Sequence, residues 1–542
     1  MVYRQKATQL SLESFGSALG TPLSPDNEWV QYAELIPWAK LEEAYQLQSF
    51  ARNAYALGFT LALIADLSEE LIMVYRQKAT QLSLESFGSA LGTPLSPDNE
   101  WVQYAELIPW AKLEEAYQLQ FPSKTGRAAK PFRLLYGATL IKLKKGLTDR
   151  QVVDDIRDTP AYQYFIGLPE YRAKKPFEHT TLVHFRQRLS AISDLIRNIT
   201  NDFTRERLEA DLPEGTHVLI SDATAVPVKI KYPQDTTLLN QSRLNLEQMV
   251  TDLAHGLGVE IPRTYRREAK GKWTAFSRKP RRQNKERRKQ LQAQLQYIRR
   301  DLRYVAELLA QGGQLTDWQA QRLEVIKQVY EQQLFMFENH THHVENRIVS
   351  LQQPYIRPIV RGKAKQSVEF GAKIDCSMLD GVIDVERFDF NSFNESTDLE
   401  VTLDHAFDLV GEYPDEVLVD TLYRTRDNIN LCKKLGIKLN GPKLGRKPKH
   451  VDPKQRKADV SAENRRGAIE RKFAFLKGSL GLDLVNTRTA ESLVVTVDSA
   501  IALANIDLLL KLFSVPISIV VEQGGLHYQI NYKVTEIRPE TA

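Results

Sequence analysis

Residues 216–230, THVLISDATAVPVKI, decide the fold class of this chain. The run is rich in β-branched and other apolar residues over the length of one strand, which predicts a strand buried in a sheet. Helical patterns on either side of this strand indicate an α/β unit. Asp222 interrupts the apolar run. Because a buried carboxylate is unfavourable unless it is paired or coordinates a metal ion, Asp222 is a candidate residue for a functional site.

The composition is that of a globular protein with more than one folded unit. The chain has 542 residues, 42% of them hydrophobic and 26% charged, and a formal net charge of +5. Cys376 and Cys432 are its only cysteines, which excludes a disulfide framework and a cysteine-ligated zinc site and fits a reducing compartment. The apolar run AYALGFTLALIA, which starts at Ala54, is shorter than the roughly 20 residues of a membrane span. We therefore expect a cytoplasmic protein.

The N-terminal sequence occurs twice. Residues 1–48 recur letter for letter at 73–120. Structural repeats usually keep a pattern while their surfaces diverge, and stacking usually takes three or more units. Two identical copies instead indicate a recent duplication or an artefact of gene assembly. We expect 1–72 to be an appended, non-functional partial copy and the functional chain to begin at Met73; the tail 514–542 looks strand-like and has no assigned role.

Residues 131–193 have apolar side chains at helical spacing, with a turn at Gly146. Thr148 is a suitable N-cap for the second helix, since its hydroxyl can accept an unpaired backbone N–H. A further helix is expected within HTTLVHFRQRLS, residues 179–190. Short helices with basic outer faces fit a helix-turn-helix-like DNA-binding unit. A small helical bundle with a solvated basic face fits the composition equally well.

Between about 281 and 337 the sequence predicts two long helices separated by QGGQ. The first has apolar residues at alternating spacings of four and three, which is a coiled-coil seam: Leu291, Leu295, Ile298, Leu302, Val305 and Leu309. Gly312 and Gly313 allow the chain to reverse, so we expect an antiparallel helical hairpin inserted into the α/β unit. From Arg263 to Arg303 there are 16 Lys or Arg residues against three acidic ones, with aromatic residues between them. This pattern predicts contact with nucleic acid, with Arg281 and Arg282 among the contact residues.

Two later segments supply further carboxylates. Residues 368–390 predict two strands around the turn LDG, and DEVLVDTLYR, residues 415–424, predicts a short buried strand that ends at Asp420. The helix ENRRGAIERKFAFLK, residues 463–477, places Arg466, Glu470 and Lys477 within roughly 40° of one another on one face. An apolar stripe of Ile469, Phe473 and Leu476 lies beside that face.

Asp222, Asp420 and Glu470 can together form a catalytic metal site. Two carboxylates on neighbouring strands and a third on a flanking helix can hold two divalent cations about 3.5–4 Å apart. Hard oxygen ligands select Mg²⁺ or Mn²⁺. Arg466 and Lys477 would then hold DNA phosphates. Taken singly, each residue has an ordinary alternative: an aspartate at a strand end is usually a cap or turn residue, and Glu470 between cations is usually part of a surface charge network. The cluster HTHHVENR, residues 340–347, fits no strong zinc pattern.

With these residues identified, the chain resembles the DDE transposases of bacterial insertion sequences, in particular the group named for insertion sequence five. The most specific motif of that group is tyrosine, two residues, arginine, three residues, glutamate, six residues, lysine. Arg466, Glu470 and Lys477 match it, and Glu463 stands where the motif has tyrosine. The segment DTLYRTRDN matches the family's second aspartate with Asp420, Tyr423 and Arg424, and the resemblance implies that Tyr423 and Arg424 bind DNA.

The resemblance implies an α/β fold with an RNase H-like catalytic core, an N-terminal helical domain and an inserted basic helical hairpin. The expected boundaries are a helical DNA-binding domain at 73–205 and a catalytic domain at 206–513 with its insertion at about 240–350. The cofactor would be Mg²⁺, for which Mn²⁺ can substitute. The partners would be double-stranded DNA, at terminal inverted repeats and target sites, and further copies of the chain in a homodimer or higher homo-oligomer. The expected location is cytoplasmic and nucleoid-associated.

Two alternatives remain open at this stage. One is a catalytically decayed transposase that acts only as a sequence-specific DNA-binding protein. The other is an RNase H-like nuclease that uses the same acids to cut DNA without strand transfer. Cleavage and joining assays distinguish the three functions.

Overall fold

The structure is a computed structural model, and it describes residues 73–74, 94–121, 127–209, 217–360, 368–442 and 453–513. The expectations for 1–72 and 514–542 fall outside these ranges. Strands β1 (Met73–Val74) and β2 (Arg127–Ala128) pair in parallel within a small unit of their own. The elements described below belong to a second, larger unit.

In the described parts of residues 94–209, seven helices come before the main sheet. They are α1 (Glu100–Leu107), α2 (Trp110–Gln118), α3 (Phe132–Lys145), α4 (Asp149–Asp158), α5 (Pro160–Phe165), α6 (Thr180–Leu189) and α7 (Ser193–Glu209). Gly146 ends α3 in the left-handed conformation (φ 64°), and Thr148 caps α4 in a capping box with Gln151. The predicted turn, cap and third helix are therefore confirmed.

Within the described ranges the main sheet has six strands, with β3 at its centre. The strands are β3 (Val218–Pro227), β4 (Arg357–Val360), β5 (Val368–Leu379), β6 (Val382–Asp389), β7 (Glu416–Leu418) and β8 (Lys438–Asn440). On one side, β3 pairs antiparallel with β5, and β4 and β6 both pair antiparallel with β5. On the other side, β3, β7 and β8 run parallel. The sheet is thus mixed, with its antiparallel and parallel halves meeting at β3.

The predicted hairpin is present. Asp380 (φ 51°) and Gly381 (φ 90°) form a two-residue turn between β5 and β6, and both adopt the positive φ angles that the tight hairpin turn requires. Four helices accompany the later strands: α12 (Leu399–Val410), α13 (Arg426–Lys434), α14 (Pro453–Gly478) and α15 (Ala490–Phe513).

One apolar core joins the N-terminal helices, the antiparallel half of the sheet and the helices α14 and α15. Helix α15 is long and apolar enough to cross a membrane by length and composition, but 78% of its most apolar window is buried, as in a core helix. A buried hydrogen bond of 2.6 Å from the Tyr104 hydroxyl in α1 to Asp507 Oδ1 in α15 reinforces this packing. The regions 73–205 and 206–513 therefore share packing in their described parts.

The insertion between β3 and β4 is helical and has its own core. It contains α8 (Asp235–Leu257), α9 (Arg266–Ser277), α10 (Asn284–Ala310) and α11 (Asp317–Glu338). The two helices separated by QGGQ are present as α10 and α11. The expected two-helix hairpin is incomplete, however, because α8 packs against both and contributes residues such as Leu246 and Val250 to the same core. Two helices alone would leave part of the predicted seam in water.

Candidate active site

Asp222 lies in the middle of β3, and its side chain is 21% exposed. Its Oδ1 accepts a hydrogen bond of 2.8 Å from the Ala223 backbone N–H. Burial raises the pKa of Asp222 to about 6; that hydrogen bond opposes the rise, the charges of Asp420 and Glu470 add to it and Arg466 opposes it. The charges of both other predicted carboxylates therefore act on Asp222.

The parallel pairing of β3 and β7 places Asp420 beside Asp222. The last paired residues are Ile220 and Leu418, and each aspartate follows two residues after its strand's paired residue. Since neighbouring strands lie about 4.8 Å apart, the two aspartates come to the same level of the sheet. The Leu422 backbone N–H donates to Asp420 Oδ1 at 2.8 Å, which stabilises the turn after the strand.

Glu470 comes from α14, which packs against both β3 and β7. Ile469, Phe473 and Leu476 are buried, as the apolar stripe predicts. The carboxylate of Glu470 lies on the adjacent polar face, is 57% exposed and accepts from Arg466 Nη2 at 2.8 Å. The helix thus fixes Glu470 at the edge of the sheet through its buried side.

Arg466 lies between two of the carboxylates, Asp222 and Glu470. Its Nη1 is 3.8 Å from Asp222 Oδ2 and its Nη2 is 2.8 Å from Glu470 Oε1, and the side chain is only 13% exposed. Among the residues that the structure describes, no three Asp, Glu, His or Cys side chains are close enough together to enclose one metal ion. The predicted ligands therefore interact through their charges while a guanidinium lies between two of them.

The donor set fits a hard divalent cation. All three groups are carboxylates, and burial together with the two neighbouring negative charges disfavours the charged form of Asp222, as its raised pKa shows. A cation bound there would offset this repulsion. In their described positions the three groups are too far apart to enclose one metal ion, and Arg466 offsets part of their negative charge.

Tyr423 does not lie where a DNA contact requires it. Its side chain is fully buried, and its hydroxyl donates to Asp375 Oδ1 at 2.6 Å. Burial and the Asp375 carboxylate raise the pKa of Tyr423, and the charge of Asp222 contributes to the rise. The DNA contact expected at Tyr423 is therefore wrong, and the buried side chain has a structural role through its hydrogen bond to Asp375.

The other predicted DNA-binding residues differ in exposure. Arg424 is half-buried and donates to the Leu439 carbonyl at 2.7 Å, so it ties the loop after β7 to β8. Lys477 is half-buried in the last turn of α14.

The two arginines of the insertion also differ. Arg281 is exposed. Arg282 is half-buried, lies over the Phe276 ring at 5.0 Å and donates to the Ser277 carbonyl at 2.9 Å. Arg281 is available to a ligand, whereas Arg282 holds the connection between α9 and α10.

Asp375 is the residue that sequence reasoning missed. It lies on β5 opposite Ala223, is fully buried, and its Oδ2 has no hydrogen-bond partner. The signal was the same as for Asp222: a carboxylate inside an apolar strand. Applied to residues 368–379, that argument would have identified Asp375.

Two segments of the chain match family models. Residues 90–188 match the model described as "Transposase domain (DUF772)", and residues 417–509 match the model described as "Transposase DDE domain". The second match includes Asp420 and Glu470, and Asp222 lies outside it. These matches support a transposase.

A curated relative has no assigned function. The "Uncharacterized protein ORF8 in nfe locus" of Rhizobium meliloti is 28% identical over 190 residues, which cover 34% of this chain and 86% of that protein. No solved structure matches the chain significantly.

Proposed function

We propose that this chain is a DDE transposase that cuts DNA at the ends of an insertion sequence, of the group named for insertion sequence five, and joins the freed ends to target DNA. The observation that carries this proposal is the parallel pairing of β3 with β7, since Asp222 and Asp420 each lie two residues beyond the last pair, together with the packing of α14, which carries Glu470, against both strands. The match of residues 417–509 to a transposase DDE domain supports it independently.

The sheet topology supports an RNase H-like core. The parallel pairing of β3 with β7 brings two aspartates to the same edge, and α14 crosses that edge with Glu470. The antiparallel strands β5 and β6 form the other half of the sheet and hold β3 at its centre. Asp222 lies in β3, Asp420 lies two residues after β7 and Glu470 lies in α14, so each carboxylate is on or next to a regular element, which supports a catalytic role.

The three carboxylates would hold Mg²⁺ or Mn²⁺. When bound, such ions would activate the attacking oxygen and stabilise the negative charge on the leaving oxygen of an in-line phosphoryl transfer. The protein's own contribution is positioning and electrostatics: Asp222 and Asp420 are fixed by the sheet, and Glu470 by the buried stripe of α14. Lys477 and Arg466, on the same helix, would bring positive charge to the phosphates of the strand that is cut.

The exposed basic surface of the insertion would bind DNA beyond the cleavage site. Helices α9 and α10 and the connection between them carry many exposed cations: Arg266, Arg267, Lys270, Lys272, Arg278, Lys279, Arg281, Lys285, Arg287, Arg288 and Lys289. Some of them pair with acids on the same surface, as Lys272 does with Glu268 at 2.5 Å and Lys279 with Glu286 at 2.6 Å. The remaining excess of positive charge fits the phosphate backbone. Action on two element ends would require a dimer or higher oligomer.

A joining assay separates this function from its alternatives. Purified protein is incubated with Mg²⁺ or Mn²⁺, supercoiled target plasmid and DNA that carries the ends of the encoding element, pre-cut in one reaction and uncut in another. A transposase joins the 3′ ends to the plasmid, and Asp222→Asn abolishes the joined product. Cleavage of uncut ends without joining would indicate a nuclease instead. Tight end binding with neither product would indicate a decayed, DNA-binding protein.

A further inference from the structure

Arg466 is a positive charge held between two of the predicted metal ligands, Asp222 and Glu470. Its guanidinium hydrogen-bonds Glu470 at 2.8 Å and lies 3.8 Å from Asp222, and the side chain is largely shielded from water. A guanidinium and a divalent cation would repel each other strongly at such separations in a partly buried site. Arg466 therefore cannot keep both contacts when the carboxylates bind a metal ion.

Glu463 offers the same guanidinium a second acceptor. It lies one turn before Arg466 on α14, and its Oε1 accepts from Arg466 Nη2 at 2.8 Å and from Nε at 3.2 Å. The Glu463 side chain is 50% exposed, and Arg466 lowers its pKa, so the carboxylate stays charged. Arg466 can leave Asp222 and Glu470 without losing every partner.

The neighbouring arginine on the same helix is engaged elsewhere. Arg465 pairs with Glu416, which also accepts from Lys438 at 3.0 Å. Arg466 contacts Glu463 and Glu470 because it shares their face of the helix. Positive charge on α14 alone does not give these contacts, since Arg465 pairs with Glu416 instead. Arg465 provides a matched control with the same change of charge.

We infer that Arg466 and Glu463 together set the metal affinity of the site: Arg466 balances the carboxylates and competes with the divalent cation, and Glu463 retains the guanidinium when the cation displaces it. This inference rests on the proposed function, because it takes Asp222 and Glu470 as metal ligands. It makes both residues positioning residues that act through the ligands. Its consequence is a site whose negative charge is partly offset before metal is bound.

The signs of the expected effects differ between the two residues. Arg466→Gln removes the competing charge and should tighten Mn²⁺ binding by about tenfold, the effect of about 1.4 kcal/mol of relieved repulsion. Glu463→Gln removes the alternative acceptor, commits Arg466 to Asp222 and Glu470, and should weaken Mn²⁺ binding by about threefold to tenfold. Arg466→Lys keeps the positive charge, so the Mn²⁺ affinity of this variant should stay closer to that of the unchanged protein.

A double-mutant cycle tests the coupling directly. If Glu463 acts through Arg466, Glu463→Gln should change Mn²⁺ affinity by less than about twofold once Arg466 is already glutamine. If Glu463 acted only as a nearby negative charge, its effect would be the same in both backgrounds. Arg465→Gln should leave the affinity within about twofold, since Arg465 faces Glu416.

The experiment is a titration of the full-length protein with Mn²⁺ in the absence of DNA. The electron paramagnetic resonance signal of free Mn²⁺ measures binding, and circular dichroism checks that each variant is folded. The inference is supported when the affinity rises for Arg466→Gln, falls for Glu463→Gln and shows the coupling. It is overturned, with the proposed function intact, when Asp222→Asn weakens Mn²⁺ binding but Arg466→Gln does not tighten it or the two substitutions are additive. If Asp222→Asn leaves Mn²⁺ binding unchanged, the metal site and the inference both fail.

Discussion

At the scale of single residues, Tyr423 connects the loop that carries Asp420 to the neighbouring part of the sheet. Its hydroxyl donates to the buried Asp375 at 2.6 Å. Tyr423→Phe keeps the packed ring and removes only the hydroxyl, which leaves the carboxyl group of Asp375 without that partner. We expect the free energy of unfolding to fall by about 1–3 kcal/mol, measured by urea denaturation.

The matched control is Tyr413, whose hydroxyl donates to Asp404 at 3.2 Å on an exposed surface. Tyr413→Phe should change the free energy of unfolding by less than about 0.5 kcal/mol. Equal effects of the two substitutions would show that burial adds nothing to the Tyr423 hydrogen bond.

Asp375 gives the protein a pH dependence with a defined sign. Burial raises the pKa of Asp375 to about 8, the hydrogen bond from Tyr423 opposes the rise, and the charges of Asp398, Glu386 and Glu395 add to it. In an unfolded chain the pKa of an aspartate is about 3.9. Between about pH 4 and 8, therefore, Asp375 holds a proton in the folded protein but has lost it in the unfolded chain. This residue therefore makes the protein less stable as pH rises through that window.

Asp375→Asn removes the titrating group. The free energy of unfolding of the variant should decline less between pH 5 and pH 8 than that of the unchanged protein, measured by urea denaturation at both pH values. Parallel declines would show that Asp375 does not carry the effect.

At the scale of elements, α14 was predictable because its apolar and polar faces follow one helical period. The buried stripe and the Arg466–Glu470 pair are local, so spacing alone identifies them. The 3.8 Å approach of Arg466 to Asp222 joins residues 244 positions apart and depends on how α14 packs across the sheet. Helix α8 was not predicted, although its buried residues Leu246, Met249, Val250 and Leu253 follow helical spacing. Local pattern thus suffices for elements and candidate residues, whereas contacts between elements required the structure.

The basic helices α9 and α10 supply a prediction of their own. Arg281 and Lys285 are exposed on the outer surface of the insertion. Changing both to glutamine should reduce the slope of log affinity against log salt for double-stranded DNA by up to about 0.9 for each phosphate that the variant no longer neutralises. Fluorescence anisotropy with labelled DNA at several salt concentrations measures this slope.

The control changes the same number of charges in the same bundle. Arg303 and Lys327 are paired with acids on their own helices, at 3.4 Å to Glu307 and 2.7 Å to Glu324. Their replacement by glutamine should leave the slope nearly unchanged. If the control lowers the slope as much as the test variant, general charge and not the α9–α10 surface determines binding.

At the scale of the whole molecule, the second copy of the repeated sequence forms part of the main core. Trp101 and Tyr104 of α1 and Trp110 of α2 are buried there, and the match to a transposase domain begins at residue 90, within this copy. Deleting 1–72 should therefore leave the thermal unfolding midpoint and DNA binding unchanged. Circular dichroism of the 73–542 protein beside the full-length chain measures the midpoint, and fluorescence anisotropy with labelled DNA measures the binding.

Deletion of 1–121 is the matched control. It also removes α1 and α2, and with them the Tyr104–Asp507 hydrogen bond to α15, so the unfolding midpoint should fall by many degrees. A loss of folded protein on deletion of 1–72 alone would contradict the account of the repeat.

The most direct test of the central claim is strand cleavage of DNA that carries the ends of the encoding element, in Mg²⁺ or Mn²⁺, by the unchanged protein and by Asp222→Asn, Asp420→Asn and Glu470→Gln. The account predicts that the unchanged protein makes metal-dependent cuts at the element ends. Each substitution should abolish these cuts while circular dichroism and DNA binding are retained. Cuts that persist in any of the three variants would contradict the assignment of that carboxylate to the catalytic site.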